Sequence, residues 1–311
     1  MIGSLNKPLV AVIATGGTIA SKRNANGSSE PCLDGDSLVG LLPQSSVDLR
    51  AIDLMAKDSA SLTLADMQSI SNAVGKLLAD DTVDGVVVLH GTDAMEESAM
   101  LVQLQNRLTK PVIFTGAQHT ADHHQADGPA NLAAAIAAAT DRKNAGRGVL
   151  VCFGGRTSPA WGLYKHSADE IDAFRQSTGQ DNPPGLYSGD VGALRIDIIA
   201  IYPGCDGALI DASLDAGAQG IVLAALGSGN ANPSIVEAVQ RSSARNVPLV
   251  VSSRVPQGKL TPSYGGGGGG HDLSLAGATH SSNLRPGQAR ILLAALIAGG
   301  ATEHSIKDAF A

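Results

Sequence analysis

The sequence is short of aromatic residues, cysteine, basic clusters and long apolar runs, and each shortage narrows what the chain can be. Aromatic residues make up 3% of it, so its core must be built from Ala, Val, Leu and Ile packed against tight turns. Such a core suits a parallel sheet wrapped by helices. The three cysteines, Cys32, Cys152 and Cys205, are odd in number and far apart. They make neither a disulfide framework nor a zinc pattern. A net charge of −7 with no long basic block argues against a nucleic-acid partner. No stretch reaches the roughly 20 apolar residues that span a bilayer, which argues against a membrane protein. The amino terminus, MIGSLNKPLV, has no signal-peptide core or cleavage site. The cytoplasm is therefore the default location, and a mature exported chain without its signal stays open.

What is present points to a globular α/β protein. The chain has 311 residues, 43% of them hydrophobic and 16% charged, enough for two domains with real cores. β-branched apolar runs recur, and each ends in small polar residues: PLVAVIA before TGGT, GVVVLH before GTDAMEE, PVIFTGA before QHTADHH, GVLVCF before GGRTSP. Helical patterns lie between them, such as LADMQSISNAVGKLLAD and NLAAAIAAATDRKN. Strands alternating with helices predict a parallel sheet, whose carboxyl edge is where ligands bind. A second set, IDIIAIY, GIVLAAL and PLVVSS, predicts a second α/β domain closed by the helices GQARILLAALIAGG and EHSIKDAF. The fold class is thus α/β: a large N-terminal parallel-sheet domain over 1–188, a linker at 189–195 and a smaller C-terminal domain over 196–311. Residues 177–195, rich in Gly, Pro and Asp, read as interdomain, and the six glycines at 265–270 read as a mobile loop.

The chemistry-bearing motifs each admit a structural reading. TGGT over 15–18 is either a capped strand-to-helix turn or a close approach of backbone to a ligand. It matches neither a dinucleotide fingerprint nor a P-loop, although a glycine turn at a helix start can hold an anion. In HGTDAMEES, Asp93, Glu96 and Glu97 suit a helix N-terminus. That leaves unexplained why His, Gly, Thr and Asp crowd a strand end, where a hydroxyl beside a carboxylate can relay a proton and grip an ammonium group. Lys165, in WGLYKHSADE, is either a solvated charge or a desolvated base. In QADGPANL, Asp127 and Pro129 suit a helix start, and the same loop is placed to line a pocket. The adjacent His123 and His124 lack supporting carboxylate spacing, so no metal is expected, and no cofactor.

Taken together, ATGGTIAS, HGTDAMEESA, TGAQ…ADGPANL, YKHSADEIDAF, ALGSGNANPS and SSRVPQG resemble, in order and spacing over nearly the whole chain, the bacterial-type L-asparaginase/glutaminase family. The resemblance implies an L-asparaginase, an amidohydrolase converting L-asparagine to L-aspartate and ammonia through an acyl-enzyme, without a cofactor. It implies a homotetramer of close dimers whose active site lies between one subunit's N-domain and its neighbour's C-domain. By resemblance Thr18 is the nucleophile, and Thr92, Asp93 and Lys165 form a second Thr–Lys–Asp group. Ser59 and Asp93 would hold the α-carboxylate and α-amino groups, Gly17 and Ala117 would supply pocket backbone, and Asn230 would reach the site from the partner subunit. Two related readings are an amino-acid sensor with a degenerate pocket and the amidase subunit of a tRNA-dependent amidotransferase.

The chain departs from this family at informative places. Its best-studied members carry a Tyr in the loop after the nucleophile, whereas residues 19–40 here contain none. Tyr264, beside the glycine run, is one candidate to fill that place. In KDSASLT, the register that aligns Asp58, Ser59 and Thr63 keeps the following helix in phase, and a shifted one would leave no hydroxyl for the substrate. Ala60 stands where glutamine-active relatives often have Gln, and SYGGGG holds no acid where those relatives place a partner-subunit Glu. Both departures favour asparagine over glutamine, with weaker or no glutaminase activity.

Overall fold

A computed structural model of the chain describes residues 7–23, 29–31, 35–40, 46–177 and 185–311. They fall into two compact units, Met1–Arg175 and Gln176–Ala311. The first runs β1 (Leu9–Gly16), a short hairpin β2 (Ser21–Arg23) and β3 (Ser29–Pro31), α1 (Gly35–Gly40), β4 (Asp48–Lys57), α2 (Leu64–Leu78), β5 (Gly85–Leu89), α3 (Met95–Gln105), β6 (Val112–Thr115), α4 (Gly128–Thr140), β7 (Val149–Phe153), β8 (Arg156–Pro159), β9 (Leu163–Lys165) and β10 (Phe174–Gln176). Its main sheet has the order β4-β1-β5-β6-β7-β8, parallel except for β8.

Alternate side chains of the central strands enter different cores, because a strand has period two. Val10, Val12, Val87, Leu89 and Ile113 pack with Leu132 and Ala135 of α4. Ala11, Ile13, Val86, Val88 and Phe114 pack on the other face with Ile70 and Val74 of α2 and Ala99 and Val102 of α3. Strands covered on both faces must be apolar throughout, which is why these runs read as unbroken Val, Ile and Leu. The α2 helix starts where Thr63 accepts the Asp66 N–H and Asp66 accepts the Thr63 N–H, a reciprocal cap. The hydrogen bond from Lys57 holds the Asp66 carboxyl below its ordinary range. β1 lies between β4 and β5, so the connections leave it in opposite directions, and the crevice at the carboxyl ends of β1 and β5 is the switch point of the sheet.

The second unit carries β11 (Ile196–Ala200), α5 (Ala208–Asp215), β12 (Gly220–Ala225), α6 (Pro233–Ala244), β13 (Leu249–Ser253), α7 (Gly270–Leu275), β14 (Thr279–His280), α8 (Pro286–Ala298) and α9 (Glu303–Phe310). Its sheet, β11-β12-β13-β14, is wholly parallel. Ile199, Ile221, Leu223 and Val251 pack with Ile210, Ile235 and Leu273. Leu292, Leu293, Ala294 and Ala295 of α8 are almost fully buried, so this helix is apolar nearly all round.

The glycine run is anchored at its carboxyl end. Gly267 and Gly269 donate their N–H groups to the Asp272 carboxylate at 2.8 and 3.0 Å, and Gly270 opens α7. A Cβ on Gly269 would lie 1.9 Å from the Tyr264 carbonyl oxygen, so only glycine fits there. Part of the expected interdomain segment, residues 178–184, lies outside the described residues, as does Cys32. Cys152 and Cys205 are free and buried. Among the described residues no helix is long and apolar enough to cross a membrane, and no group of His, Cys, Asp and Glu is placed to hold a metal.

Candidate active site

Two glycines close the crevice. Gly17, at the end of β1, has φ 83° and ψ −177°, a backbone region that only glycine occupies without strain. A Cβ there would lie 2.6 Å from the Cα of Gly91, which follows β5. The β1 and β5 loops therefore touch backbone to backbone, and each touching glycine is followed by a threonine, Thr18 or Thr92. Thr15 plays a different part: its hydroxyl donates to the Leu89 carbonyl at 2.8 Å and ties the two strand ends together. Half-buried Thr18 opens a 3₁₀ turn closed by the Ala20 N–H and the Ser21 hydroxyl, both donating to the Gly17 carbonyl. Gly17→Ala is expected to lower the unfolding free energy by ~2 kcal/mol or more, read as a lower urea midpoint at unchanged slope.

The β5 end is equally constrained. His90 is fully buried, and its Nδ1 lies 2.7 Å from the Gly91 carbonyl oxygen. Nδ1 is thus the protonated nitrogen, an assignment made from its partner. Burial pulls its pKa down to about 4, so the ring is a neutral, rigid corner at physiological pH. A Cβ on Gly91 would lie 2.4 Å from the Ser59 hydroxyl, so this glycine admits Ser59 to the crevice. Ser59 is buried at the start of a 3₁₀ turn capped by Asp58, and its hydroxyl accepts the Asp93 N–H at 3.2 Å.

Lys165 completes the cluster from β9. Its Nζ donates to the Thr92 hydroxyl at 2.8 Å and to the Asp93 carboxylate at 2.6 Å. Thr92 is buried, while the Asp93 side chain is 54% exposed and so retains oxygen surface for a second cation. A hydroxyl, an amine and a carboxylate in series can relay a proton and bind an ammonium group at one end. Asp93 does not cap α3, as a helix-start reading would have it. Ala94 occupies the cap without a side-chain bond, because the Asp93 carboxylate is turned to Lys165.

The third strand end supplies backbone. Ala117 follows β6 and is buried. The Asp127 carboxylate accepts the N–H groups of Gln118 and His119 and the side-chain amide of Asn131, which also donates to the Gly116 carbonyl at 3.0 Å. Asp127 therefore folds the loop after β6 and makes no side-chain cap on α4. Packing of Gly128 against Ile19 ties this loop to the Thr18 turn. The His119 and His123 rings stack with centroids 4.3 Å apart, and the His124 ring lies tilted against His123 at the same separation.

The structure thus brings Gly17, Ser59, Thr92, Asp93 and Lys165 together around one crevice, with Thr18 and Ala117 on the loops that border it. Asn230 belongs to the second unit, where its side-chain oxygen accepts the Gly270 N–H at 3.1 Å. Tyr264, also in the second unit, is 63% exposed. One participant was not singled out as a site residue from sequence: Glu96, in the first turn of α3, is half-buried and accepts the Lys165 backbone N–H at 2.5 Å. Burial pushes its pKa up to about 8. Its place in a run of otherwise buried helix, MEESAML, was the available signal.

The fold is a doubly wound parallel α/β sheet whose switch point carries a hydrogen-bonded Thr92–Lys165–Asp93 cluster. The chain belongs to the asparaginase family: the N-terminal asparaginase model matches residues 9–188 and the glutaminase/asparaginase C-terminal domain matches 195–310. A probable L-asparaginase of Deinococcus radiodurans is 32% identical over 97% of each chain. A probable periplasmic L-asparaginase of Haemophilus influenzae is 29% identical over 92% of this chain and 87% of its own. The crystal structure of a probable cytoplasmic L-asparaginase from Campylobacter jejuni superposes with a TM-score of 0.87 at 26% identity, covering 98% of this chain and 99% of that one.

Proposed function

We propose that the protein is an L-asparaginase in which Thr18 is the nucleophile. The observation that carries this reading is the Gly17–Gly91 contact, which sets Thr18 and the Thr92–Lys165–Asp93 relay at one switch point. The Thr18 hydroxyl attacks the side-chain amide carbon of asparagine, and its proton passes through Thr92 to Lys165 and on to the departing ammonia. Water then cleaves the aspartyl ester and releases aspartate. Asp93 takes the substrate's ammonium, Ser59 its carboxylate, and Gly17 and Ala117 line the pocket. The alternative of a non-hydrolytic amino-acid sensor is opposed by the intact relay.

Ala60 and the absence of an acid in SYGGGG support asparagine as the preferred amide. Purified protein is expected to release ammonia from asparagine with kcat/KM at least about tenfold above that for glutamine. Equal values would remove the preference, and no release from either amide would remove the assignment. The family resemblance supports a homotetramer of close dimers with Asn230 serving the partner's site, which light scattering and an Asn230→Ala variant test. The matched segments, ending at 188 and resuming at 195, support a functional domain division at 189–195. The cytoplasm is the proposed location, with the Campylobacter neighbour in its favour, and cell fractionation tests it against a periplasmic one.

A further inference from the structure

We propose that Glu96 is a positioning residue for catalysis, holding the main chain of Lys165 against the Thr92–Asp93 segment so that its amine reaches both partners. The proposal rests on the hydrolase reading above.

Lys165 and the Thr92–Glu96 segment are joined at two levels. The lysine side chain reaches Thr92 at 2.8 Å and Asp93 at 2.6 Å. Its backbone N–H is taken by Glu96, three residues beyond Asp93 and in the first turn of α3. β9 is only three residues long and pairs with the equally short β10, so its ladder supplies few bonds to fix the lysine's origin. A flexible four-carbon stem delivers its amine to a defined point only if its Cα is fixed. The Glu96 contact supplies that fixed point, and it spans 69 residues of sequence.

A surface role does not account for this carboxyl. A glutamate in the first turn of a helix favours the macrodipole from a solvated position, whereas Glu96 is only partly exposed and its carboxyl is turned to the Lys165 backbone. The charged groups acting on it are Glu97, on its own helix, and Lys165, on β9. Burial and the neighbouring Glu97 keep it protonated at neutral pH, so it serves Lys165 as a neutral acceptor rather than as a second counter-ion. A glutamine presents the same oxygen to the same N–H, whereas an alanine leaves that N–H without its acceptor.

The test compares wild type, Glu96→Gln and Glu96→Ala by steady-state kinetics on asparagine from pH 5 to 10, with circular dichroism to confirm folding. Glu96→Gln is expected to keep kcat within about threefold at pH 7, and to lack an inflection near pH 8 that the wild-type kcat profile shows. Glu96→Ala is expected to lose kcat on the order of 10²-fold, with KM changed far less, because a displaced base costs rate more than binding. A folded Glu96→Ala with wild-type kcat overturns the proposal, and so does a Glu96→Gln as impaired as the alanine variant. Should Glu96→Ala fail to fold, Glu96→Met, which keeps the volume and removes the acceptor, takes its place, and wild-type kcat in that variant overturns the proposal. Wild-type protein that releases no ammonia would instead defeat the hydrolase reading itself.

Discussion

Thr18→Ala is expected to lower kcat for asparagine by about 10³-fold or more, because a nucleophile cannot be replaced by positioning alone. Residual turnover would come from water in a crevice that still binds and polarises the amide. Thr18 is half-buried in a single 3₁₀ turn, and its neighbours Gly17, Ile19 and Ser21 make the contacts that hold the turn in place. The variant should therefore unfold within about 1 kcal/mol of wild type. Thr18→Ser keeps the hydroxyl and should recover part of the rate. A slow amide substrate, quenched and mapped by mass spectrometry, should leave an ester on Thr18 in wild type and none in the alanine variant. An adduct on Thr92 would reverse the roles of the two threonines.

The two threonines illustrate what the sequence shows and what it hides. Both follow apolar β-branched runs and both sit in glycine-rich polar punctuation, so their place at a sheet's carboxyl edge is legible from pattern alone. Their proximity is not. It depends on strand order, and β4 enters next to β1 without announcing itself: DLRAIDLMAK mixes charges at Asp48, Arg50, Asp53 and Lys57 with apolar residues because it is an edge strand, exposed along part of its length. The bounds of α2, α6 and α9 are readable because caps and periodicity agree, as at Thr63, Asn232 and Thr302. Asp127 shows the opposite case. Its sequence context suits a helix cap, but two backbone N–H groups of the loop after β6 and the Asn131 side-chain amide of α4 compete for the same oxygens and win. Glu96 escaped for a related reason: an acid at a helix start looks solvated until its contact with a strand 69 residues away is known.

Lys165 carries the second large effect. Lys165→Met keeps the length and most of the volume of the side chain and removes the amine, and it is expected to lower kcat by about 10²- to 10⁴-fold, the range for loss of a general base. Stability should change little, because the ion pair that is lost has a carboxylate 54% exposed, and such pairs contribute about 1 kcal/mol or less. Lys165→Arg separates two accounts of the same loss. If the cation acts only as a fixed charge beside Asp93 and Thr92, arginine should restore much of the rate. If the group must take up the Thr92 proton, arginine cannot, because its guanidinium stays protonated throughout the accessible range. The relay geometry, with one nitrogen 2.8 Å from a buried hydroxyl, favours the second account, so Lys165→Arg should be nearly as slow as Lys165→Met. Recovery to within about tenfold of wild type would convert Lys165 from a base into an electrostatic stabiliser and would leave Thr18 without the route for its proton that the crevice otherwise supplies.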